Sequence, residues 1–175
     1  MRILIYFICA GLLLACNSTK EYTATELTHL ETAVNAPQFT FTAQWANPLD
    51  QDATQVLNAL RPAGGIVAGN RVRIDSGVYQ LKVTEDQVEI DLPYFGTRQI
   101  SSGNYPTDSG IQAKGPYKDF KIRNSKKPNL RNLSLQISDT TESYNISIQL
   151  FAGGTASITV NSSHRQSISY NGTWE

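Results

Sequence analysis

From Phe39 onward, apolar and polar positions alternate with a period of two, the mark of strands with one buried and one wet face. In FTFTAQW, Phe39, Phe41, Ala43 and Trp45 share one face and the threonines the other. GVYQLKVTEDQVEIDLPYFG reads as a hairpin turning at Glu85-Asp86. That turn pairs Val83 with Val88, Leu81 with Ile90 and Tyr79 with Leu92, and sets Lys82 across from Glu89 on the outer face. A slip of one residue would mix the two faces, so the register is specified by burial.

The same matching of apolar faces organises the C-terminal third. A loop over Asp139 to Glu142 places Leu133, Leu135 and Ile137 opposite Ile148, Ile146 and Tyr144. A loop at Ala152-Gly153-Gly154, with a glycine free to turn left-handed, then places Ile146, Ile148 and Leu150 opposite Val160, Ile158 and Ala156. Beyond Ser163-His164-Arg165, Ile168 and Tyr170 face Val160 and Ile158. Four consecutive strands form a meander whose outer positions are serine, threonine, asparagine and glutamine, as a sheet with one wet side requires.

Helical periodicity is confined to a short stretch before the strands. In TATELTHLETAVNAP, Thr23 and Glu26 fit a capping box, Leu27, Leu30 and Val34 form one stripe, and Pro37 closes the segment. A further turn or two of helix is expected around Val56, Leu57 and Leu60. GIQAKG and YKDFKI add two strands, for eight or nine in all. The fold class is therefore all-β: an antiparallel meander with a short N-terminal helix, closing into a lipocalin-like barrel that removes its edges. A two-sheet β-sandwich is the alternative.

The first sixteen residues, MRILIYFICAGLLLAC, follow neither period. The apolar run from Ile3 to Leu14 falls short of the ~20 residues needed to span a bilayer and matches the core of a secretory signal. Leu13-Leu14-Ala15-Cys16 reads as a lipobox, with a small residue for the peptidase and a thiol to carry the lipid. The expected organisation is a signal peptide over residues 1–15, a lipidated tether over 16–22 and one domain over 23–175. The tether, at ~3.3 Å per extended residue, holds the domain within about 20 Å of the membrane.

Charge narrows the function classes. The chain carries 15 Lys plus Arg against 15 Asp plus Glu. Loss of Arg2 with the leader leaves about −1, which offers no general basic field for nucleic acid. Acylation consumes Cys16, the one cysteine left after the leader, so disulfide, cysteine metal site and cysteine nucleophile are all excluded. His29 lies off the helical stripe and far from His164, so neither has metal-ligand spacing. Asp50 and Asp52 lack the glycine and distal glutamate of a calcium loop. No nucleophile elbow surrounds the serines of GNYPTDSG. The reading names no catalytic residue, no metal and no cofactor.

Two stretches, LPYFG at Leu92 to Gly96 and the ending SSHRQSISYNGTW, carry a resemblance. With FTFTAQWANP and YNISIQLFAGGTASITVNSS, the chain resembles a Bacteroidetes lipoprotein family of unknown function, domain-of-unknown-function family 4251, over most of residues 38–174. Thr97-Arg98 departs from the family's common Arg-Ala after the first motif. The resemblance implies a lipocalin-like barrel on an exported, membrane-anchored lipoprotein and brings no catalytic residue. From the residues themselves, Pro93 ends a strand, Gly96 permits a turn, and Tyr94 and Phe95 cover a barrel end or form a partner-contact turn.

The expectation is a non-enzymatic structural or interaction module of the envelope, with a carrier of one small apolar ligand as the alternative. Its partners are the membrane, through Cys16, and either an envelope protein or that ligand. Asn17 in place of aspartate favours the outer membrane, with the periplasmic face favoured over the cell surface. Asp139-Thr140-Thr141 resembles an O-glycosylation pattern of that phylum, with Thr140 as acceptor on a loop tip.

Overall fold

The structure, a computed structural model, describes residues 21–49, 58, 67–75, 78–96, 110–139 and 142–175. The leader, Cys16, the expected helix around Leu57, and Thr140 lie outside these. Among the described residues, helix α1 (Ala24–Asn35) precedes eleven strands. They are β1 (Phe39–Pro48), β2 (Val67–Ala68), β3 (Arg71–Arg73), β4 (Gln80–Val83), β5 (Gln87–Leu92) and β6 (Ile111–Pro116). The series continues with β7 (Lys118–Asn124), β8 (Leu130–Ser138), β9 (Ser143–Phe151), β10 (Thr155–Ser162) and β11 (Ile168–Trp174).

The hydrogen-bonded order is β6-β5-β4-β1-β11-β10-β9-β8-β7, and every pairing in it is antiparallel. The two ends of this path, β6 and β7, are separated in sequence by Tyr117 alone. They also run in the same direction, because an antiparallel ring needs an even number of strands and nine elements make up the path. β6 and β7 are thus two halves of one bent strand, the first pairing β5 and the second β8. The bend is marked by a register shift between Lys118 and Lys121 and by Asp119 at φ 53°, a left-handed conformation that aspartate tolerates. Counted this way, eight strands form a nearly closed antiparallel barrel. The hairpin β2–β3, which the alternation did not reveal, hangs off β1.

The registers expected from burial are those observed. Leu81 pairs with Ile90, Leu135 with Ile146, Ile148 with Ile158, and Ile158 with Tyr170. Gly154 takes φ 75° in its loop. Lys82 does sit opposite Glu89, yet the Glu89 carboxylate takes its ion pair from the other neighbour, Lys114 on β6, at 2.8 Å. One residue changes face. A bulge between Ala43 and Trp45 shifts β1 by one position, so Ala46 and Pro48 point inward and Trp45 points out, half-buried under the Arg71 guanidinium.

Inside the barrel, Phe41, Tyr144 and Tyr170 are almost fully buried with Leu81, Ile146, Ile148 and Ile158. Helix α1 begins with the expected capping box, Glu26 N–H donating to Thr23 Oγ1 at 3.2 Å and Thr23 N–H to Glu26 Oε2 at 2.7 Å. Its stripe buries Leu30, Ala33 and Val34 at the barrel end where β1 starts and β11 finishes, each large side chain contributing ~1.5–3 kcal/mol. His29 stacks flat on Trp174 with ring centroids 4.8 Å apart, and Arg131 pairs with Glu31. The helix is a lid on that end.

Candidate functional site: the clasp at the opposite barrel end

At the far end, three loops converge. Strand β5 runs out into Pro93, which cannot continue a ladder, so the chain turns inward and delivers Tyr94 over the rim. The β8–β9 loop brings Glu142, and the β10–β11 loop brings Arg165. Both are buried, with Arg165 Nε donating to Glu142 Oε1 at 3.0 Å and to Oε2 at 3.2 Å. Arg165 Nη1 donates to the Gly110 carbonyl at 2.8 Å, and Ser162 Oγ donates to the same Glu142 carboxylate. The Tyr94 ring lies beneath the guanidinium, 5.3 Å from its centroid to Cζ.

The tyrosines bind this assembly to the barrel wall. Tyr94 donates its hydroxyl to the Gln166 carbonyl at 3.2 Å, and Tyr170 donates to the Pro93 carbonyl at 2.7 Å. LPYFG and HRQSISYNG, some 70 residues apart, therefore hold one another directly. Burial pushes the Tyr144 phenol well above its ordinary range, helped by the adjacent Glu142 charge, and burial does the same to Tyr170. Both stay protonated and serve as hydrogen-bond donors rather than bases.

The motif glycines belong to the same construction. A Cβ on Gly96 would sit 2.7 Å from the Tyr94 hydroxyl oxygen and 2.9 Å from Cζ, so the glycine leaves room for the ring. A Cβ on Gly172 would strike the Thr42 carbonyl, where β11 closes against β1. The residues carrying the resemblance are those that close and cap the barrel.

Of the partner-contact turn, Tyr94 is 7 % exposed with its hydroxyl engaged internally, while Phe95 is half-buried. A shallow cleft of about 340 Å³ beside them is lined by Tyr79, Asp91, Pro93 and Gln112 among others. His29 and His164 lie at opposite ends, and among the described residues no group of three His, Cys, Asp or Glu is placed to hold a metal. In the sequence Glu142 and Arg165 are ordinary loop residues, and their pairing emerges only in the folded barrel. The only local signal was a charge beside each apolar strand end.

A small antiparallel β-barrel with a helical lid at one end and a buried ionic clasp at the other is the class these features define. The chain belongs to the family described as Domain of unknown function (DUF4251), whose match spans residues 21–174. The crystal structure of a DUF4251 family protein from Bacteroides eggerthii DSM 20697 superposes with a TM-score of 0.57 at 17% identity, covering 86% of this chain and 87% of that one. A 74-residue stretch is 35% identical to part of the interferon-induced GTP-binding protein Mx2 of Canis lupus familiaris. That match covers 40% of this chain and 10% of the Mx2 protein. The chain has no G-x-x-x-x-G-K-[ST] phosphate loop.

Proposed function

We propose that this protein is a lipid-tethered, non-catalytic envelope module that works through the outer surface of a packed barrel. The observation that carries the reading is the filling of the inside: Phe41, Tyr144 and Tyr170 are buried there, Leu30 covers one end and the Arg165–Glu142 pair the other. An eight-stranded barrel has an interior only just wide enough for side chains or one small ligand, and here side chains occupy it. Anchoring through Cys16 is supported by the lipobox, and residues 21–23 enter α1 at the barrel end opposite the clasp. The clasp then faces away from the membrane, which is the outer membrane in this reading.

Two measurements test it. Cys16→Ser should accumulate as an unprocessed precursor, and N-terminal peptide mass of the wild type should show the acyl chains. Titration with a fluorescent fatty acid should give no saturable binding. One-to-one uptake, displaced by palmitate, would establish the carrier reading instead.

A further inference from the structure

The barrel surface is divided by charge in a way that solvation alone does not require. Outward positions on β4 to β7 include Lys82, Glu89, Asp91, Lys114, Lys121 and Arg123. Outward positions on β8, β9, β10, β11 and β1 carry no charge at all. Charges of both signs interspersed keep a surface soluble and free of association, and here the outward positions of five adjacent strands hold none.

The registers show what stands there instead. One row across the sheet runs Ser134, Ser147, Thr159, Ser169 and Asn47. The next runs Asn132, Gln149, Ser157, Asn171 and Trp45. At ~4.8 Å between strands, each row presents about 19 Å of hydroxyl and amide groups. Neighbours hold some of them in place: Gln149 Nε2 donates to Asn132 Oδ1 at 3.2 Å, and Asn47 Nδ2 to Asn171 Oδ1 at 2.7 Å. Each hydroxyl and amide both donates and accepts, so unused capacity points outward. A groove of about 400 Å³ indents the face over Asn132, Ser134, Ser147 and Gln149, with Arg123 at its edge. Trp45, turned out by the bulge in β1, ends the second row, its ring half-buried under the Arg71 guanidinium.

From this we infer that the neutral face over β8 to β1 binds an uncharged glycan. A polysaccharide presents hydroxyls that donate and accept, as the face does. An ionic ligand would find counter-charge only at the margins of these rows, at Lys121 and Arg123 on β7 and at Arg71 and Arg73 on β3, and none along them. The inference deepens the outer-surface reading above and rests on it.

Affinity electrophoresis of the full lipidated protein in a non-glycosidic detergent tests it, with glycogen, laminarin, mannan and xylan as neutral probes and polygalacturonate as an acidic one. At least one neutral glycan should retard the protein. Ser147→Glu and Thr159→Glu should weaken retardation at least tenfold with an unchanged melting temperature, and Lys82→Glu should leave it intact. Absence of retardation by every neutral probe overturns the inference, as does equal retardation of the Ser147→Glu variant. Retardation by polygalacturonate alone, lost in Lys121→Glu, would move the site to the charged half. A dimer in sedimentation that Ser147→Glu dissolves would make the face a self-interface, which also overturns it. Fatty-acid uptake or a missing acyl chain would defeat the outer-surface reading without altering these mobilities.

Discussion

Arg165 and Glu142 meet 3.0 Å apart with both side chains more than nine-tenths buried, joining two loops whose strands lie on the same side of the barrel. Removing one charge of such a pair strands the other in a dry setting. Arg165→Met should therefore lower unfolding stability by ~3–5 kcal/mol in urea titrations. Adding Glu142→Leu to it should restore much of the loss. A double variant as unstable as the single would show that the pair's hydrogen bonds, not the lone charge, dominate.

Tyr94 and Gly96 should be energetically coupled. Gly96→Ala drives a methyl into the Tyr94 ring and should cost ~1–3 kcal/mol. With Tyr94→Leu already present, the same change should cost far less. A double-mutant cycle measures this coupling, and additive effects would mean that the loop simply moves aside.

A steeper loss is expected for Gly172→Ala, because the obstacle is the Thr42 backbone rather than a side-chain tip. β1 and β11 must separate there, and that junction closes the barrel. Circular dichroism should show a lower melting temperature than for Gly96→Ala. Hydrogen exchange should be fastest along β1 and β11.

Alkaline pH should destabilise the fold through Tyr144 and Tyr170. Their folded pKa values lie above the ~10 of an unfolded phenol, so above pH 10 the folded state holds more protons than the unfolded one. The stabilisation is complete below pH 10 and declines as pH rises through the folded values. Urea unfolding from pH 9 to 11.5 should show that decline, and Tyr170→Phe should flatten it by about one proton.

At the lidded end, Thr23→Ala should cost ~1 kcal/mol by removing the capping box. Leu30→Ala should cost ~2–5 kcal/mol, because its side chain is fully buried. Chemical denaturation separates the two magnitudes, and similar small losses for both would mean that the helix does not seal the barrel.

The alternating positions by themselves determined most of the strands, and the partners and registers of the β4–β5 hairpin and the β8–β11 meander. Burial of one face penalises any odd shift, as the Leu135–Ile146 and Ile158–Tyr170 pairs illustrate. Thr23 with Glu26 likewise announced the helix start. What the period could not express was anything depending on three loops at once. The bulge that turned Trp45 outward is a single inserted residue with no signature in the alternation. The seam at Tyr117 follows from ring parity, which exists only once β1 meets β11. Glu142 and Arg165 stand 23 residues apart on separate loops, each resembling an ordinary solvated charge. Only closure of the barrel removes water from both, and only then do two surface residues become a buried pair.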